Sequence, residues 1–329
     1  MKRVTSADVA RAAGVSQSTV SRTFSGINVS SKNRQRVLEA ARELGYKPNA
    51  IARSLSTHRT NIVGVVMAQM GSPFNPYVLE KFAQQLQSKG QQVLFFSVPA
   101  GQDVADLLPQ VLQYQVDAII LTSITHSSDV LDECDVPVLL FNRTVPSTKV
   151  NTVCSDNLAG GRLVADLLLD RGHERLAYIA GPKNTSTNRE REEGFSTRLA
   201  ARGYTNLQRM QGNYTYQAGY EVAKQLLQNP TPPDAIFCAS DVIAFGVIDQ
   251  AHQLGVQIPE QFSVVGFDDV PEAAWAAYNL TTLHQPVNLM VDATLELLEK
   301  RLAGDLATPT SRLFPCRLIE RGTVRPYKP

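Results

Sequence analysis

The chain has 329 residues, 43% hydrophobic and 19% charged, the make-up of an ordinary folded protein with room for two or three cores. No apolar run is long enough to cross a bilayer and the opening MKRVTSADVA offers no secretion signal, so a cytoplasmic protein without membrane contact is expected. The formal net charge of +1 conceals an asymmetry: residues 1–60 carry 11 Lys or Arg against 3 Asp or Glu, and the remainder carries 21 against 28. A basic head on an acidic body directs a polyanion partner to the head.

The head is patterned. In "TSADVARAAGVSQSTVSRTFSG" (residues 5–26), Thr5 and Asp8 have capping-box spacing, Val9, Ala12 and Ala13 share one helical face, and Gly14 ends the segment. Ser16 caps a second helix running through Val20 to Phe24, and Ala10 and Val20 are small enough for the two helices to cross closely. Two short helices around a glycine turn make a helix-turn-helix, whose second helix enters the major groove by its N-terminal end. Gln17, Ser18 and Arg22 then face base edges, while Ser16, Thr19 and Ser21 lie nearer phosphates. Thr5 joins them as a candidate DNA contact at the start of the first helix. A third helix starts at Ser30, repeats Val37, Leu38, Ala41 and Leu44 at helical spacing, and stops at Gly45. Lys32, Arg34, Arg36 and Arg42 occupy its outer face. Residues 1–47 are expected to form this DNA-binding headpiece, with a small helical protein-docking module as the rival reading, and the helix that Pro48 opens in the linker at residues 48–60 is too short to be stable alone.

Through "DVARAAGVSQSTVSR" and "YKPNAIARSL", residues 5–55 resemble the headpiece and hinge of the lactose/galactose repressor (LacI/GalR) family. That resemblance implies a hinge that folds on DNA as a dimer, with Leu55 wedged between base steps in the minor groove. It puts Ala52 at the close contact of the paired hinge helices, Arg53 beside it, and Asn49 among the DNA contacts.

From residue 61 apolar strands alternate with amphipathic helices. Strands are predicted at 61–68, 91–98, 117–123, 136–142, 174–181, 234–240 and 262–268, and helices at 76–89, 157–171, 187–202, 216–228 and 241–254. Near-continuous apolar strands separated by helices mean parallel sheets covered on both faces. Two series of such units predict an α/β core of two doubly wound parallel-sheet subdomains, periplasmic-binding-protein-like, beside the all-α headpiece. A final helix (287–302) and strand (312–319) return across the cleft, which sets the subdomains at 61–157 with 285–315 and 158–284 with 316–329.

The chemistry of an enzyme is missing from these strand ends. No strand leads into GxGxxG, and neither a GxxxxGK[ST] loop nor a GxSxG elbow occurs. Cys134, Cys154, Cys238 and Cys316 form no CxxC and the five histidines are scattered, so no metal or cofactor is expected and the cysteines read as reduced and passive.

Polar and aromatic residues at the strand ends instead mark a small-molecule cleft. Phe74 and Asn75 follow the first strand, Asn142 and Arg143 the fourth, with Asp156 beyond them. Thr187 and Arg191 follow the fifth; Tyr214 sits in "GNYTY", Asp241 in "ASDVIA", and Asp268 in "GFDDVPEAAW" with Trp275 close behind. Asp156 and Asp241 have a competing role as helix caps, and Trp275 suits either sugar stacking or a subunit contact. "SDNLAGG", "RGHERLAYIAGP", "FCASDVIAFG", "VVGFDD" and "LTTLHQP" look like the same family's effector-binding core. The resemblance implies that Phe74, Arg191, Tyr214 and Asp268 hold the effector and that Arg143 tunes which ligand is taken. Arg191 and Asp268 suit vicinal hydroxyls or a carboxylate. The implied protein is a ligand-responsive repressor that binds a palindromic operator as a homodimer, its effector first a sugar or sugar acid and second a nucleobase. The chain closes on "RGTVRPYKP" with no heptad tail, which favours a dimer over a tetramer joined by a coiled coil. Periplasmic sugar-binding proteins share such a core, but that reading predicts a secretion signal and no headpiece.

Overall fold

The computed structural model describes residues 4–25, 28–47, 59–68, 70–99, 102, 104–122, 129–132, 134–145, 150–305 and 308–326. Two compact units divide the chain, Met1–Asn61 and Ile62–Pro329.

The first unit holds helices α1 (Ser6–Ala13), α2 (Gln17–Phe24) and α3 (Ser31–Glu43). Thr5 and Asp8 form the capping box: Asp8 N–H donates to Thr5 Oγ1 at 3.4 Å, and Thr5 N–H donates to the Asp8 carboxylate at 3.0 Å. Ser16 and Ser30 accept from Thr19 N–H at 3.2 Å and Asn33 N–H at 3.4 Å. Gly14, at φ 62°, makes the turn between α1 and α2, a conformation that costs a side-chain-bearing residue about 1–2 kcal/mol. The core is Val9, Ala10, Ala13, Val20, Val37, Ala40 and Ala41, flanked by the Phe24 and Tyr46 rings with centroids 5.7 Å apart. Two expectations change here. Ala12 is exposed, and on α3 Ala40 turns inward while Leu38 (45% exposed) and Leu44 (39%) do not. Leu38 lies one residue, about 100°, off the stripe set by Val37, Ala40 and Ala41, and Leu44 stands past the last turn.

In the second unit, β1 (Ile62–Ala68), β2 (Gln92–Val98), β3 (Ala118–Leu121), β4 (Val138–Phe141), β5 (Asn151–Ser155) and β11 (Ser311–Phe314) form a parallel sheet in the order β2-β1-β3-β4-β5-β11. A second parallel sheet has the order β7-β6-β8-β9, from β6 (Leu176–Ala180), β7 (Gln208–Gln211), β8 (Ala235–Cys238) and β9 (Ser263–Val265). Strands β3, β4, β6 and β8 are buried at every residue, as two-sided helical cover requires. The covering helices are α4 (Phe74–Ser88), α5 (Val104–Gln113), α6 (Asp129–Asp132), α7 (Asn157–Asp170), α8 (Ser186–Ala201), α9 (Tyr216–Leu227), α10 (Asp241–Gln253) and α11 (Val287–Leu302).

The predicted strand over 312–319 is two strands. Pro315, which has no N–H to donate, separates β11 in the first sheet from β12 (Arg317–Ile319), which pairs antiparallel with β10 (Thr282–His284) beside the second. Helices α7 and α8 touch backbone to backbone, because a Cβ on Gly194 would strike the carbonyl of Leu158. That close approach sets Arg191 of α8 beside Asn157 of α7. Cys154, Cys238 and Cys316 are buried and Cys134 partly so, all as free thiols; burial pushes Cys154 and Cys316 up to about 12.

Candidate functional site

On the headpiece, Ser16, Gln17, Ser18, Ser21 and Arg22 are exposed along α2, and Thr19 is half-buried. The N-cap cluster is self-bonded: Ser16 Oγ lies 2.7 Å from Ser18 Oγ and 2.9 Å from Thr19 Oγ1. Gln17 Nε2 donates to Ser6 Oγ at 2.9 Å, which holds the start of α2 against the start of α1. Arg22 has neither a hydrogen bond nor an ion pair among the described residues and presents its full fork outward. Thr5 is committed to its cap. Lys32, Arg34, Arg36 and Arg42 are exposed on α3. Asn49, Ala52, Arg53 and Leu55 lie outside the described residues.

The second unit contains a cleft of about 450 Å³, counting its open mouth, at the carboxyl ends of both sheets. Ser72, Phe74, Asn75 and Val78 come from the turn after β1 and the start of α4; Thr122 follows β3; Phe141, Asn142 and Arg143 close β4. Across from them, Thr187 and Arg191 begin α8 after β6, Tyr214 follows β7, Ser240 follows β8, and Asp268 follows β9. Strand order reverses at β1 and β6, which is where open α/β sheets leave a crevice for ligands. Asn142 (φ 54°), Tyr214 (φ 56°) and Asp268 (φ 127°) all hold positive φ, so backbone strain concentrates at this crevice.

Arg191 is its most constrained member. It is 2% exposed, donates Nε to Asn157 Oδ1 at 2.9 Å and Nη1 to the Ala239 carbonyl at 2.5 Å, and stacks 3.6 Å from the centre of the Phe267 ring. Its Nη1 lies 3.3 Å from Asp268 Oδ1. Burial alone would push the guanidinium down, yet the charge of Asp268 turns the shift upward. Asp268, 6% exposed, is pushed up by burial against the pull of Arg191 and also accepts from Gln285 Nε2 at 2.6 Å. Gln285 in turn accepts from Ser155 Oγ at 2.8 Å, so the carboxylate is anchored to the last residue of β5. Thr187 Oγ1 bridges Tyr214 Oη at 3.2 Å and Arg143 Nη1 at 3.3 Å, joining the two walls. Asn75 Nδ2 donates to the Ala68 carbonyl at 2.5 Å.

Seven of the ten residues expected at the effector site therefore meet in this cleft: Phe74, Asn75, Arg143, Thr187, Arg191, Tyr214 and Asp268. Asp156, Asp241 and Trp275 are not in its lining. Asp156 caps α7, accepting from Ala159 N–H at 2.9 Å. Asp241 neither lines the cleft nor caps α10. Its buried carboxylate accepts Val270 N–H at 2.9 Å and Thr282 Oγ1 at 2.5 Å, tying the loop after β9 to β10, and burial together with the charge of Asp268 pushes its pKa up. Trp275 ends a short 3-10 turn (Pro271–Ala274) and is 56% exposed. Ser72, Val78, Thr122, Phe141 and Ser240 were missed. Single residues at strand ends carry no periodicity, and the only available signal was their position at a carboxyl end.

Residues 5–49 match the bacterial regulatory proteins of the lacI family, and residues 165–324 match the periplasmic binding protein-like domain. The HTH-type transcriptional regulator CelR of Thermobifida fusca is 33% identical over 97% of this chain and 98% of its own. The solved lac repressor dimer, bound to operator and an anti-inducer, superposes with a TM-score of 0.88 at 25% identity, covering 98% of this chain and 99% of that one. A CelR–cellobiose complex superposes with a TM-score of 0.74 at 30% identity over 98% of this chain and all of the other.

Proposed function

The chain belongs to the lacI family of bacterial regulatory proteins, and on that premise we propose that it is a cytoplasmic, ligand-controlled repressor that binds a palindromic operator as a homodimer. Membership makes it a DNA-binding transcription regulator; the effector, the symmetry and the coupling are the proposal. The cleft is a binding site and performs no catalysis, and a sugar or sugar acid is its ligand. The observation that carries this reading is the Arg191–Asp268 pair, held at 3.3 Å where the carboxyl ends of both sheets meet. Such a pair offers a donor fork and an acceptor side by side, the pattern that vicinal hydroxyls satisfy, while Phe74 and Tyr214 supply apolar faces. The lac repressor solved on its operator and CelR solved with cellobiose support the same division of labour between headpiece and core.

In this reading residues 61–157 with 285–315 and residues 158–284 with 316–329 are the two jaws. Ligand between them selects one jaw orientation, which sets the spacing of the paired hinges, with Asn49, Ala52, Arg53 and Leu55 on the minor groove. Gln17, Ser18 and Arg22 read bases; Ser16, Thr19 and Ser21 lie on phosphates, and Thr5, which caps α1, is a further DNA contact. Two half-sites read by one dimer require a two-fold axis, hence the palindrome. Coupling runs both ways, so operator alters effector affinity by the factor with which effector alters operator affinity.

A thermal-shift screen of the full chain against sugars and sugar acids tests this. Ligand at about a hundred times its Kd adds about 2.7 kcal/mol to the native state, and operator titrations with the hit then distinguish induction from co-repression. No shift with any sugar or sugar acid would remove the effector class and leave the DNA-binding assignment standing.

A further inference from the structure

Seven buried side-chain atoms lack a hydrogen-bond partner among the described residues, and three of them, Asn142 Oδ1, Arg143 Nε and Ser240 Oγ, belong to residues lining the cleft. Folded proteins leave few such atoms, because each forfeits its hydration without replacement. One donor and two oxygens are thus left unpaired, and hidden from solvent, within residues that line the cleft.

Charge narrows the ligand further. The ionisable cations and carboxylate of the lining are Arg143, Arg191 and Asp268. Arg191 and Asp268 neutralise each other at 3.3 Å. Arg143 has no such partner: its Nη1 donates to the Asn142 carbonyl at 2.6 Å and to Thr187 Oγ1 at 3.3 Å, both neutral, and no carboxylate among the described residues pairs with it. Glu190, one turn along α8 from Thr187, is occupied elsewhere. It accepts from Thr144 Oγ1 at 3.0 Å and Asn157 Nδ2 at 3.1 Å. Burial pushes the Arg143 guanidinium down, with the charge of Arg191, and outweighs the opposite pull of Asp268, whereas at Arg191 the charge of Asp268 wins. A cation kept in a crevice with no carboxylate bonded to it is a standing cost.

We infer that the effector is a polyhydroxylated anion whose carboxylate or phosphate seats against Arg143, with hydroxyls of the same molecule meeting Asn142 Oδ1, Ser240 Oγ and Asp268. The inference rests on reading the cleft as the effector site. The planar guanidinium fork accommodates carboxylate and phosphate alike. A neutral sugar of the same stereochemistry leaves the charge uncompensated, and sites built for a polar partner reject analogues that lack it.

The test titrates the full chain with D-gluconate, D-glucuronate, D-glucose 6-phosphate and D-glucose, and with the galacto and manno counterparts of each, by calorimetry and thermal shift. The expected result is an anion bound at least about tenfold more tightly than its neutral parent, and loss of that preference in Arg143→Gln. Without ligand, Arg143→Gln melts no lower than the parent chain, because it removes a buried cation to which no carboxylate is bonded. Arg143→Lys, which keeps the charge without the fork, retains a weakened preference and serves if the Gln variant fails to fold. Binding of carboxylates alone or of phosphates alone names the source of the anion. Neutral sugars that bind as tightly as their acids, or a preference that survives Arg143→Gln, overturn the inference and leave the sugar-effector reading intact. Silence across neutral and anionic ligands together overturns both.

Discussion

The two units of this chain keep their functional groups in opposite places. The headpiece core contains nothing larger than valine, and its chemistry stands outside, on exposed Gln17, Ser18 and Arg22. The larger unit fully buries Tyr178, Phe82, Phe141, Phe195, Phe237 and Phe267, and its chemistry lies inside, with Arg191 stacked on one of those rings. On the proposed reading, recognition and stability are therefore separable in the headpiece. In the cleft the same reading makes them one set of interactions, since the Arg191–Asp268 pair proposed to grip the effector also satisfies its own buried charges.

The sharpest way to break this contrast is Arg191→Ala. It leaves Asp268 buried without its cation, and removing one partner of a buried pair costs about 3–5 kcal/mol. Denaturant unfolding should show the loss, and calorimetry should find effector binding gone; unchanged stability would make the pair dispensable to the fold. Next in size is Val20→Ala, which empties the centre of the small core at about 2 kcal/mol. Circular dichroism should detect helix melting ahead of the main transition, with operator binding lost and effector affinity unchanged. A single, uniformly lowered transition would mean that the two units are not energetically separate.

Arg22→Ala should leave melting unchanged and weaken operator binding by about 1–3 kcal/mol, with much less effect on random DNA. Equal weakening of both would demote Arg22 to a phosphate contact. The smallest effect is one of slope. Asp241, pushed up by burial and by the charge of Asp268, keeps its proton in the folded chain at pH values where the unfolded chain has lost it. Its contribution to stability is therefore complete below the ordinary aspartate range, about pH 4, and fades as pH rises toward the raised value. Asp241→Asn keeps an acceptor for Val270 N–H and a partner for Thr282, so its stability should fall less steeply than wild type between about pH 5 and 8. Parallel profiles would show that Asp241 is ionised when folded.

What was legible in the residues and what was not follow from the range of the interactions. Caps and turns were readable because Thr5 with Asp8, Ser16 and Ser30 satisfy backbone groups within three residues of themselves. Strands β1, β3, β4, β6, β8 and β9 were readable as apolar runs, since both faces of a covered sheet must be apolar; β2 reads as one too, yet at the sheet edge it is mostly exposed or half-buried, against the expectation of two-sided cover. Strand β5 escaped: in "NTVCS", Asn151 and Ser155 are buried only because Thr310 N–H and Gln285, more than a hundred residues away, pair with them. Strands β7 and β10 carry equally weak local patterns, whereas helix α5, with Val104, Leu107, Leu108 and Val111 buried at helical spacing around Pro109, had a readable one that was not used. Of the site, the residue types at the strand ends were visible, together with the family they resemble. Only the tertiary structure decided that Asp241 turns toward β10, that Trp275 stays in solvent, and that Glu190 pairs away from Arg143. A side chain's local propensity is written within a turn of its own position, whereas its charge partner is chosen by whichever distant segment folding brings beside it.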